Sequence, residues 1–202
     1  MHTQPFRFLC RSLLPLLAAV ALWSPLQAQT SRTFFGLTGG ATLSDFSDDF
    51  GGVQTTDRWG GTAGIIFGVR TANWASIALE PAWTSMGGSE LSLGYIEVPL
   101  TLGGVARDRE DNFRYGAYTG IAPAFKISCN DDEALLDVCD QAKGTVWFLP
   151  VGVRFLRRAS GSSYFGIDVK YSFPLGDSFD NSFAEQRTWA FRLIFLKGGA
   201  PR

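Results

Sequence analysis

Residues 164–173 read Tyr164-Phe165-Gly166-Ile167-Asp168-Val169-Lys170-Tyr171-Ser172-Phe173. Phe165, Ile167, Val169, Tyr171 and Phe173 fall on one side of an extended chain, and Tyr164, Gly166, Asp168, Lys170 and Ser172 fall on the other. A period of two is the mark of a strand. One face is continuously apolar and aromatic, while the other carries a carboxylate and an ammonium. A soluble lipocalin-like barrel would invert this pattern, with apolar residues inside. About eight such segments recur along the chain, which predicts an all-β, eight-stranded, antiparallel up-and-down transmembrane β-barrel with a polar, side-chain-filled interior.

The other seven segments repeat the division. Phe35, Leu37 and Ala41 oppose Thr38, Gly40 and Thr42; Trp59, Ala63, Ile65, Phe67 and Val69 oppose Gly60, Thr62, Gly64 and Gly68. In 75–85, Ile77, Leu79, Pro81 and Trp83 oppose Glu80 and Thr84; in 93–103, Ile96, Val98, Leu100 and Leu102 oppose Tyr95, Glu97 and Thr101. The last three run 113–127, 145–155 and 188–196, each with aromatic residues on the outward side. Lengths of this order suit a tilted membrane strand of about 9–11 residues. Long polar connections follow the first, fifth and seventh strands and short ones follow the second and sixth, the alternation of outer loops and periplasmic turns.

The first 28 residues read as an export signal. Arg7 and Arg11 precede an apolar run from Leu13 to Trp23, and Leu26-Gln27-Ala28 is a small-residue cleavage site. Eleven apolar residues are too few for a spanning helix, which needs about 20; an uncleaved N-terminal anchor is the other reading. The expected organisation is a signal peptide over 1–28 and a barrel domain over 29–202. Removing Arg7 and Arg11 from the 18 basic residues leaves 16 against 19 acidic ones, a net charge of −3. That balance argues against a nucleic-acid partner.

The interior faces hold the residues with chemical potential: Glu80, Glu97, Arg114, Lys126, Arg154, Asp168, Lys170 and Arg192. Charges confined in so narrow a space survive when paired and hydrogen-bonded, so the expectation is a charge network that plugs the lumen. An ion path through it is the alternative. Glu97 is expected to pair with Arg114 on the next strand, and Glu80 to share the same cations. Inward glycines such as Gly68 and Gly152 leave volume for the long side chains opposite. The lone histidine, His2, lies in the leader, so Ser-His-acid catalysis and histidine metal sites have no residues to build on. No enzyme activity, cofactor or metal is expected.

Cys129 and Cys139 flank the acidic segment 130–133. An exported chain meets an oxidising compartment, so a disulfide across this loop is expected, with two free thiols as the alternative. Asp45, Asp48 and Asp49 in the first outer loop, and the acids of the third, read as solvated charge rather than a calcium loop.

Tyr95-Ile96-Glu97-Val98-Pro99-Leu100 resembles the Tyr-x-Glu-x-Pro-Leu strand of the PorT-like outer-membrane β-barrel family of Bacteroidetes and relatives. Phe35-Gly36-Leu37-Thr38-Gly39-Gly40 and Leu79-Glu80-Pro81 resemble it too. The resemblance implies an integral eight-stranded barrel in the bacterial outer membrane; the alternating pattern and the export signal lead to the expectation of a monomer, inserted by the barrel insertion machinery and surrounded by outer-membrane lipid. It implies little about activity. A structural or interaction role at the cell surface through the outer loops, with an unknown partner, is the first expectation. A small pore, or a transport- or secretion-associated protein, is the second.

Overall fold

A computed structural model describes residues 32–46, 57–88, 91–131, 139, 142–178 and 186–198. The expected leader and most of the long outer loops lie outside these residues. Among these residues there are ten strands: β1 Thr33–Phe46, β2 Arg58–Arg70, β3 Ala75–Leu79, β4 Ala82–Gly87, β5 Leu91–Glu97, β6 Leu100–Arg107, β7 Phe113–Asp131, β8 Thr145–Ser160, β9 Ser163–Pro174 and β10 Gln186–Gly198. All pairings are antiparallel, and β1 pairs with β10 to close the ring.

The ten strands make eight staves. The third expected strand is β3 followed by β4, and the fourth is β5 followed by β6. The breaks fall at Glu80-Pro81 and Val98-Pro99, where proline has no N–H to give the ladder. The wall stays continuous across them. Ile65 N–H donates to the Pro81 carbonyl, Glu80 N–H to that of Pro99, and Val98 N–H to that of Pro123.

Register fixes the geometry. From Thr38, one path of paired residues runs through Gly64, Ala82 and Glu97 to Ala124 on β7. The opposite path runs through Ile194, Gly166 and Leu156 to Arg114 on the same strand. The two arrive 10 residues apart (124 − 114), which is the shear of the barrel. With eight staves, usual strand spacing and usual rise, that shear tilts the strands by about 40°.

The outward face is predominantly apolar. Leu37, Trp59, Phe67, Leu102, Phe155, Phe165 and Leu193 are all about half exposed or more. Only lipid is a suitable solvent for such a belt. No helix among the described residues is long and apolar enough to cross a membrane; the strands do the crossing. Short turns at 71–74, 108–112 and 161–162 mark one end, the periplasmic end by the short-turn pattern of bacterial barrels. The β4–β5 hairpin at the other end is tight, with Gly88 N–H donating to the Leu91 carbonyl.

Candidate functional site

The strand alternation that sends aromatics outward sends Glu80, Asp168, Arg154 and Arg192 into the middle of the lumen. Arg154 bridges both acids, 2.5 Å to Glu80 and 2.6 Å to Asp168. Arg192 reaches Asp168 at 2.8 Å and Glu80 at 3.4 Å. Tyr118 donates its hydroxyl to Asp168 at 2.9 Å, and Thr101 donates to Glu80 at 2.9 Å. The Arg154 guanidinium also lies over the Tyr118 ring, 4.2 Å from its centre. Two acids and two bases balance, and each carboxylate has several donors, the condition under which buried charge is tolerated. Space for Tyr118 comes from Gly152, because a Cβ there would overlap the Tyr118 ring. Gly68 makes room for the Phe34 ring in the same way.

Toward the outer end, Lys170 pairs with Glu97 at 2.5 Å, both fully buried. Above them the filling is mixed: Thr42, Ser44, Gln186 and Thr188 are buried on β1 and β10, and an apolar cluster fills the other side. Met86, Leu93, Tyr95, Ala122, Ala124, Val146 and Phe148 pack together with Ala142 from the third outer loop. The ammonium of Lys126 anchors two residues of that loop by donating to the carbonyls of Cys139 (2.8 Å) and Ala142 (2.5 Å). The Cys129–Cys139 disulfide is present.

At the inner end, the β6–β7 turn folds Asp111 back into the lumen with a left-handed φ of 55°. Arg114 grips its carboxylate with two 2.7 Å bonds, and Arg158 (2.6 Å) and the Tyr164 hydroxyl (2.8 Å) complete the set. Burial pushes the Asp111 carboxyl up, but the hydrogen bonds from Arg114 and Tyr164 and the charges of Arg114 and Arg158 outweigh it. The group is held well below the ordinary carboxylate range.

All eight sequence-predicted charges point inward, but not as one network. Glu80, Arg154, Asp168 and Arg192 form the centre, Glu97 and Lys170 a separate pair, and Lys126 ties down the outer loop. The expected Glu97–Arg114 pair is absent. Glu97 stands level with Ala124, ten residues up β7 from Arg114, or roughly 30 Å along the strand. Nor does Glu80 share cations with Glu97. Sequence reading missed Asp111, because a turn residue has no strand parity. It also missed Arg158 and Tyr164 as partners of Asp111, and Arg70 as a further charge in the inner mouth, although Arg70 and Arg158 continue the inward parity of Gly68 and Arg154. Asp48, Asp49 and the acids after Asp131 in the third loop lie outside the described residues. Among the described residues no three metal-ligating side chains cluster.

The fold is similar to that of two solved outer-membrane barrels. Neisserial surface protein A matches with a TM-score of 0.60 at 11% identity, over 84% of this chain and 99% of that one. The outer membrane protein OprG from Pseudomonas aeruginosa matches with a TM-score of 0.52 at 14% identity, over 86% of this chain and 98% of that one. At such identity the likeness is one of fold. No protein-family model matches the chain, and no curated protein matches it in sequence.

Proposed function

We propose that the protein is a closed outer-membrane barrel that serves as a structural or interaction component of the cell surface, presenting its outer loops, and that it is neither an open pore nor an enzyme. The observation that carries this reading is the filled lumen. The Glu80–Asp168–Arg154–Arg192 centre crosses the lumen with no unpaired carboxylate, and the Phe148 cluster seals the space above it. A barrel of eight strands is only wide enough for side chains, so an ion would have to displace buried, paired charge. The Tyr95–Leu100 and Leu79–Pro81 motifs support a PorT-like affiliation. They support equally a monomer delivered by the barrel insertion machinery. The loop partner is then a surface molecule met outside the cell.

Recording from planar bilayers tests the reading. Refolded protein is expected to insert without conductance steps. Regular open-channel steps would favour the pore reading, with the charged centre as its filter.

A further inference from the structure

Below the charged centre the lumen opens into a chamber of about 50 Å³. A water needs roughly 10–15 Å³ on this measure, so the space holds several waters, or one oxyanion group. Arg70, Arg114, Arg154, Tyr118 and Tyr164 line it, with Gly103, Gly104 and Gly116 keeping the wall thin. Its charge does not balance. Arg154 is neutralised by the centre, which leaves Arg70 and Arg114 in the lining, with the part-exposed Arg158 and the single carboxylate of Asp111 at the inner rim. Three positive charges against one negative leave a surplus of +2. The rest of the β6–β7 turn does not correct this, because Arg107 and Arg109 offset Asp108 and Glu110.

Arg70 is the telling residue. It is half-buried, of inward parity at the end of β2, and among the described residues its guanidinium makes no ion pair or side-chain hydrogen bond of its own; Asp111, already gripped by Arg114 and Arg158, acts on it only at longer range. Every other arginine that lines the chamber is paired. A guanidinium carries five N–H donors in a planar fork suited to carboxylate and phosphate. A half-buried guanidinium without an ion pair of its own, beside the Arg114 guanidinium, suits an anion.

We propose that this inner chamber is a binding site for one small oxyanion, a phosphate or carboxylate group, taken from the periplasmic side and held chiefly by Arg70 with help from Arg114. The chamber lies at the opposite end from the outer loops, so the site stands or falls apart from the surface role.

Calorimetric titration of protein refolded in octyl glucoside micelles tests it, with sodium phosphate in one arm and sodium acetate in another, against sodium chloride at matched ionic strength. Saturable binding of one phosphate or one acetate per chain is expected, and which arm saturates tells the tetrahedral from the planar ligand. Arg70→Gln is expected to weaken binding about tenfold, the loss of a charge-assisted contact, and Arg70→Lys to weaken it less. Arg157→Gln, which removes a charge resting over the Phe113 ring, is expected to bind as wild type. Heat-modifiable migration on a gel reports that each variant is folded. No saturable heat in either arm, wild-type binding by Arg70→Gln, or equal losses in Arg70→Gln and Arg157→Gln would overturn the proposal.

Discussion

Toward the outer mouth the lumen is filled by Met86, Leu93, Tyr95, Val146 and Phe148; toward the inner mouth it holds Arg70, Arg114 and Arg154 around open space. The same eight staves build both ends. The difference lies in how each space is closed. Apolar side chains close the outer end by excluding water, without needing a partner of a given charge. The inner end has its own apolar cluster, Ile66, Ala78, Leu156, Ile194 and Leu196, but it also holds hydrogen bonds to charged groups, which demand partners and respond to ions and protons. An outer seal therefore stands over a chemically responsive inner chamber.

The largest expected effect comes from the boundary between the two. Asp168→Ala leaves Arg154 and Arg192 undercompensated in the buried centre, and should cost about 3–5 kcal/mol. Urea unfolding in micelles reads it, and an unchanged midpoint would mean the centre is solvated. Next, Phe148→Ala empties the middle of the outer seal and should cost about 3–4 kcal/mol. Its loss should be the same in low and high salt, unlike changes at the inner mouth; a salt-dependent loss would erase the contrast.

Breaking the Lys170–Glu97 pair from one side, by Glu97→Gln, should cost roughly 2–3 kcal/mol, less than Glu97→Ala. The double variant Glu97→Gln with Lys170→Met should recover part of that loss in a double-mutant cycle. Strict additivity would show that the two are not coupled. Reduction of Cys129–Cys139 releases a short loop outside the bilayer and should cost at most about 2–3 kcal/mol. Barrel assembly, followed by gel mobility, should survive it.

The smallest effect is a pH dependence at the inner mouth. The Asp111 carboxyl is held below its ordinary value of 3.8 in the folded protein. Its contribution is therefore fully present above that value and is lost as pH falls below it toward the folded one. Between about pH 5 and pH 3 the wild type should lose more stability than Asp111→Asn. Parallel curves would show that Asp111 is not held by its arginines.

Parity made the staves legible, because lipid enforces an apolar residue at nearly every outward position from Phe35 to Phe195. The inward direction of all eight charges was legible for the same reason. Which charge meets which was not. Parity gives a face but no height, and a shear of 10 residues moves partners far from their neighbours in sequence. So Glu97 meets Lys170 on β9, three staves away, rather than Arg114. Pro81 and Pro99 were in plain view, yet their interruption of the ladder was hidden by an alternation that runs straight through them. Asp111 was illegible because its role depends on a turn that doubles back.

The seam between β1 and β10 joins the two ends of the sheet through 13 paired residues, from Phe34 with Gly198 to Phe46 with Gln186. It is zipped along its whole length, like the joints between neighbouring staves. The wall therefore offers no lateral exit into the bilayer. On the closed-barrel reading proposed above, the chamber is a cul-de-sac: whatever enters it comes and goes by the periplasmic door alone. Its traffic is an exchange with one compartment rather than a passage between two.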